Sequence, residues 1–193
     1  DSIKNATGYD FVISQMEKSV IPGLFTCNAI FTKLKISDSG ELNWIKTRRK
    51  WIEPIGGKSL WATIHKDGRS FRIYNCYFSV TDQGMEDRSK MLTEIMEHAL
   101  KFKGPVIICG DMNTVIPNKK DNRWLVQLWH RFPTPSKEIC GEFADKNERY
   151  FFLETAKTYG YSEAADMTKN TWRMITLGRE LFDLKLDWML FRG

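Results

Sequence analysis

The chain has 193 residues, 42% of them hydrophobic and 27% charged, and its 29 Lys+Arg against 24 Asp+Glu leave a net charge of +5. That length and balance suit a single globular domain over 1–193 and exclude disordered, collagen-like and coiled-coil chains. No apolar run approaches the ~20 residues of a membrane-crossing helix. A pI near 9.0 leans toward an anionic partner without identifying one. The four cysteines, Cys27, Cys76, Cys109 and Cys140, are far apart and lack paired metal spacing. They read as free thiols and favour a reducing, intracellular compartment. Asp1-Ser2-Ile3-Lys4 has no signal-peptide pattern, but a start other than Met leaves secretion open.

In chain order, Tyr9 to Ile13 reads as a strand, and Leu24 to Phe31 as a second after the breaker pair Pro22-Gly23. Leu42 to Ile45 starts an amphipathic strand that runs into the basic stretch Lys46–Lys50. Leu60–His65 and Phe71–Phe78 flank Asp67-Gly68, a hairpin signal because glycine accepts positive φ. From Asp87 to Lys103 the period becomes helical, with Met91, Leu92, Ile95, Ala99 and Phe102 inward, His98 solvated, and Gly104-Pro105 as the stop. Val106–Cys109 is apolar on both faces, as a central covered strand would be. Asn122–Phe132 and Glu148–Tyr159 read as further helices, and Leu184–Phe191 as a closing run of partial alternation. No repeat, low-complexity segment or linker interrupts this order, which describes an α/β or α+β domain with a layered sheet core.

The candidate chemistry lies at strand ends. Gly110-Asp111-Met112-Asn113-Thr114 puts a carboxylate and an amide two residues apart, just past an apolar strand. Such an edge is where α/β folds place functional groups, although an Asp/Asn turn is also common there. Asp187 interrupts an apolar run, where a buried carboxylate needs a donor, a cation or a metal, and an exposed one needs nothing. Tyr77 ends the strand from Phe71 and can present its phenol beside Asp111, or serve as an ordinary sheet tyrosine.

Together these residues resemble the endonuclease/exonuclease/phosphatase superfamily, the deoxyribonuclease I-like fold. Gly110-Asp111-Met112-Asn113-Thr114 matches its Gly-Asp-x-Asn-Thr motif, and Leu186-Asp187-Trp188-Met189-Leu190 matches its late aspartate motif. Cys27-Asn28-Ala29-Ile30-Phe31 is similar to its Gly-Asn-Ala-Ile-Leu strand, with Cys27 for Gly, and Thr171-Trp172 stands where members carry Thr-Trp or Thr-Phe. The resemblance implies a four-layer β-sandwich with flanking helices, and a hydrolase acting on phosphoester bonds with Mg²⁺ or Mn²⁺. It implies that Asp111 activates the attacking water near the metal and that Asn113 bonds the phosphate or that water. It further implies that Asp187 orients a catalytic His, with Asn28 and Trp172 binding substrate. Tyr77 stands where many members have His and the exonuclease III-like branch has Tyr; as a phenol it would donate to the phosphate oxyanion.

Two parts of the family pattern are missing. Gln15-Met16-Glu17 lies only ten residues before Cys27, too close for the Gln-Glu strand that supplies the principal metal ligand. The Ser-Asp-His segment has no match among His65, His98 and His130. The expectation is therefore an incomplete domain lacking the first strand or strands and the last one. A phosphoester hydrolase of nuclease or phosphatase type is the first reading. A catalytically incomplete, phosphate-binding domain of the same fold is the second. Nucleic acid, phospholipid headgroup and sugar phosphate all remain open as substrates of an expected monomer. Lys46–Lys50 and Lys119, Lys120 and Arg123 are candidate backbone contacts.

Overall fold

The computed structural model describes residues 6–14, 17–18, 25–43, 58–78, 84–113, 148–164, 171–176, 179–184 and 187–193. Its centre is a hairpin of two nine-residue strands, β6 (Lys58–Lys66) and β7 (Arg69–Tyr77), joined by Asp67 and Gly68 at φ 50° and 74°. Two successive left-handed residues match the turn to the twist of the strands, as the Asp-Gly pair predicts. β5 (Lys35–Asn43) adds to β6 antiparallel, and β8 (Val106–Asp111) adds to β7 in parallel. β12 (Asp187–Arg192) and the two-residue β9 (Ser162–Glu163) complete a six-stranded mixed sheet of order β5-β6-β7-β8-β12-β9.

The parallel pair requires a crossover, and helix α1 (Gly84–Leu100) supplies it. Met91, Leu92, Ile95, Met96 and Ala99 repeat at helical spacing and are buried against Tyr74, Cys76, Val106 and Ile108 of the sheet. Helix α2 (Glu148–Thr158) adds Phe152 and Ala156, and β12 adds Trp188 and Leu190, to the same core. Each such Leu, Ile, Met or Phe side chain contributes roughly 1.5–3 kcal/mol of burial before entropy is counted. α1 ends at Leu100, three residues before the expected end: Lys101 and Phe102 N–H donate to the His98 and Ala99 carbonyls in a tightened last turn. The Arg192 guanidinium donates to the Ala99 and Phe102 carbonyls, tying β12 to the end of the helix.

The opposite face of the sheet carries Leu60, Ala62 and Ile64, which pack with Ile30 and Val12 of a two-stranded pair, β1 (Asp10–Ile13) and β4 (Ala29–Thr32). Helices, six-stranded sheet and β1–β4 pair are three of the expected layers. The remaining strands are β2 (Glu17–Lys18) with β3 (Phe25–Thr26), and β10 (Trp172–Thr176) with β11 (Arg179–Leu184).

Several sequence expectations need correction. The segment expected to start a strand at Leu42 instead ends β5 at Asn43. Among the described residues β5 pairs with β6 alone, so an edge strand of Lys, Ser, Asp and Glu shows little apolar alternation. Leu24–Phe31 divides into β3 and β4 around Cys27 and Asn28. β8 is covered less evenly than expected, with Val106 and Ile108 buried and Ile107 and Cys109 half-buried. The Asn122–Phe132 helix, Lys46–Lys50, Lys119, Lys120, Arg123, His130 and Cys140 lie outside the described residues. Cys27 is an exposed free thiol, Cys76 a buried one and Cys109 a half-buried one.

His98 is not simply solvated. Its Nδ1 lies 2.7 Å from the hydroxyl of fully buried Tyr74, and its ring lies against Trp61. The Arg72 guanidinium stacks between Trp61 and Phe102, 4.2 and 4.7 Å from their centroids. Burial first, then the charges of Arg72 and Lys101, hold the His98 pKa below 6.5. The unfolded chain therefore binds the proton more readily, and this contribution to stability is whole above pH 6.5. It is expected to fall as the pH drops from 6.5 through the lower folded-state value. Urea titrations across that window should show the loss in wild type and a flatter profile in His98→Gln.

Candidate active site

The strand register assembles the candidate residues. Tyr77 is the partner of Asp111 across β7–β8, and Asp111 is the partner of Asp187 across β8–β12. Residues paired in register project from one face of a sheet, so the phenol and both carboxylates form one cross-strand row. Their electrostatics agree. Burial and then the Asp111 charge raise the Tyr77 pKa, so the phenol is protonated and a donor at neutral pH. Burial raises the Asp111 pKa, the Asn113 N–H opposes it, and the charge of Asp187 raises it further. Asp187 itself is exposed, and its backbone N–H donates to Thr171 Oγ1 at 3.0 Å. The adjacent row, Cys76, Gly110 and Trp188, points the other way, and Cys76 and Trp188 join the helix-side core.

The motif after β8 is shaped by close backbone approach. Gly110 has φ 130°, and a Cβ there would collide with the Cys76 carbonyl oxygen on β7. Only glycine permits the two parallel strands to come together there. Phe78 N–H then donates to the Asp111 carbonyl at 2.9 Å, extending the pairing beyond Tyr77. Asn113 follows in the left-handed region, φ 48°, which asparagine tolerates. Its backbone N–H donates to Asp111 Oδ1 at 2.9 Å, and its side-chain amide donates to the Phe78 carbonyl at 2.7 Å. Asn113 is buried and fixed, and it orients the Asp111 carboxylate through its main chain.

Asn28 precedes β4 and is half-buried. Its Nδ2 donates to the Lys58 and Asn75 carbonyls at 3.2 and 3.3 Å, and Asn75 returns a bond to the Ala29 carbonyl at 3.0 Å. This exchange ties the β1–β4 pair to the end of the β6–β7 hairpin, beside Tyr77. The Asn28 backbone is pinned by Ser14, whose Oγ accepts its N–H at 2.8 Å. Ser14 and Lys58 were not singled out by motif. For Lys58 the available signal was its place just after Gly56-Gly57, at the start of β6. Trp172 opens β10, one residue after Thr171, and Glu17 opens β2, paired with Thr26. His65 bonds Ser70 at the hairpin turn, and His98 sits on α1, so neither of these histidines meets Asp187.

Among the described residues, no three His, Cys, Asp or Glu side chains group as a metal site. Asp111 and Asp187 are hard oxygen donors at paired positions on adjacent strands. Magnesium keeps several waters and uses one or two protein carboxylates, so this pair fits part of such a shell.

No protein-family model matches the chain, and no curated protein matches it by sequence. Solved structures do share its fold. An endonuclease/exonuclease/phosphatase family protein from Leptotrichia buccalis aligns over 96% of this chain and 60% of its own, at TM-score 0.61 and 16% identity. The D. rerio TDP2 complexed with single strand DNA product aligns over 99% and 64%, at 0.55 and 13%. A 3′ phosphatase, NExo from Neisseria, bound to product DNA hairpin, aligns over 99% and 69%, at 0.58 and 17%. The chain thus spans 60–69% of the length of these structures. At such identities the likeness establishes the fold.

Two substitutions test this geometry without an activity assay. Gly110→Ala combines a steric collision with a left-handed φ and is expected to cost at least ~2 kcal/mol in urea unfolding. Asp111 has a raised pKa, so folding binds its proton more tightly and stability declines as pH rises through that range. Asp111→Asn keeps the acceptor for the Asn113 N–H and removes the buried charge. Metal-free Asp111→Asn is expected to melt above wild type at pH 7 in calorimetry.

Proposed function

We propose that this chain, which has the fold of the endonuclease/exonuclease/phosphatase proteins, is part of a divalent-metal-dependent phosphoester hydrolase whose attacking water is activated beside Asp111. The observation carrying this reading is the single row of Tyr77, Asp111 and Asp187, with the Asp111 carboxylate oriented by Asn113. Mg²⁺ or Mn²⁺ held by Asp111 and Asp187 would supply charge neutralisation at the phosphate and lower the pKa of a bound water.

The protein groups divide the remaining work. Asp111, ionised and held by the Asn113 N–H, accepts the proton of the attacking water. Asn113 keeps that carboxylate in one orientation, and one N–H of its amide is committed to Phe78. Tyr77, kept protonated by burial and by Asp111, donates a hydrogen bond to the phosphoryl oxygen where charge develops. Asp187 contributes negative charge that draws the cation and keeps Asp111 basic. Nucleic acid is the first substrate class to test, because two of the structures sharing this fold hold DNA.

Bis-p-nitrophenyl phosphate, abasic DNA and sphingomyelin, each assayed with Mg²⁺ or Mn²⁺, separate the substrate classes. Hydrolysis of at least one is expected, falling by about 10²-fold or more in Asp111→Ala and by roughly tenfold or more in Tyr77→Phe. If wild type and Asp111→Ala are equally inert toward every phosphoester, the hydrolase reading fails. Phosphate binding without turnover would leave the reading of a non-catalytic phosphate-binding domain.

A further inference from the structure

The row that holds Tyr77, Asp111 and Asp187 extends one strand further. Across β6–β7 the partner of Tyr77 is Lys58, so the order along the row is Lys58, Tyr77, Asp111, Asp187. Lys58 begins β6, is half-buried, and projects from the same face as Tyr77. Its carbonyl accepts from Asn28 Nδ2, which holds the main chain of Lys58 in place beside the end of β7.

The charges along the row are uneven. Two carboxylates occupy one end, and they repel an anionic phosphate at the range where Coulomb energies are largest. Lys58 is the only cation among these four positions, and it stands on the far side of Tyr77 from them. Strand spacing puts its Cα roughly 10 Å from that of Asp111, with Tyr77 between them. From this placement we infer that Lys58 is a substrate-binding residue, whose ammonium contacts the phosphate backbone on the Tyr77 side of the reacting bond. The inference rests on the hydrolase reading for its substrate class. The contact sets affinity for the anionic substrate and polarity across the row, with the phosphate anchored at Lys58 and the water attacking from the carboxylate end.

The test is separable from turnover. Fluorescence anisotropy of a short fluorescein-labelled single-stranded DNA, in EDTA and over a series of salt concentrations, is measured for wild type, Lys58→Met, Lys58→Arg and Lys66→Ala. Lys66 lies at the other end of the same strand and controls for loss of one positive charge. Lys58→Met keeps the apolar stem, and thermal melts confirm that each variant folds. The expected result is roughly tenfold weaker binding for Lys58→Met at low salt, with a slope of log affinity against log salt smaller by about one. Lys58→Arg should recover binding to within about threefold, and Lys66→Ala should match wild type. A structural role for Lys58 would not move the salt slope. Equal affinity and slope for wild type and Lys58→Met overturn the inference, as does a folded wild type that binds no probe. If Lys58→Met binds weakly while wild type hydrolyses no phosphoester, the hydrolase reading falls and the phosphate contact stands.

Discussion

The arrangement depends first on the parallel pairing of β7 with β8. Parallel neighbours cannot be joined by a turn, so the chain must leave the sheet after Tyr77, descend and return. α1 makes that excursion, and its apolar stripe gives the crossover its stability. Both strands then run the same way and end together, with Tyr77 and Asp111 at matching positions. Any slip of one residue would turn Asp111 into the helix-side core and Gly110 toward the site.

Gly110 makes that pairing possible, and it links packing to chemistry. The Cys76 carbonyl occupies the space where a side chain would be, so β8 approaches β7 closely one residue before the carboxylate. The left-handed turn at Asn113 then brings the chain back over Asp111, and the Asn113–Phe78 bond closes it onto the end of β7. The motif thus has a conformational logic apart from any reaction. Its glycine allows approach, its aspartate accepts a local N–H, and its asparagine adopts the backbone that other residues avoid. The same local bonds orient the carboxylate, while burial and Asp187 raise its pKa. The site is therefore electrostatically costly in the absence of a cation.

The contact between the sheet and the end of α1 is built on different forces. Arg72 between Trp61 and Phe102, Tyr74 against His98, and Arg192 on the last carbonyls of α1 form a polar and aromatic clasp. It fastens the end of the crossover helix to the middle of β7, at Arg72 and Tyr74. Register errors at the site are resisted there too, because β7 is held at its middle as well as at its Tyr77 end.

Much of this was legible in the residues. The Asp67-Gly68 hairpin, the α1 stripe, the α2 segment and the short apolar β8 declare themselves through periodicity and turn chemistry. Those signals are local: a turn pair, an apolar stripe at helical spacing and an unbroken apolar run. The polar edge strand β5 was not legible in the same way, because one paired neighbour imposes little alternation on its side chains. His98 looked like a solvated helix residue, since nothing in its own segment reveals Tyr74 on a strand 24 residues earlier. For the site, the sequence by itself determined which chemical groups exist and that Asp111 and Asn113 share a strand end. Only the tertiary structure decided that Lys58, Tyr77, Asp111 and Asp187 form one row. The reason is physical: register is set by long-range pairing and by the burial of the opposite face, and neither is written in any one segment.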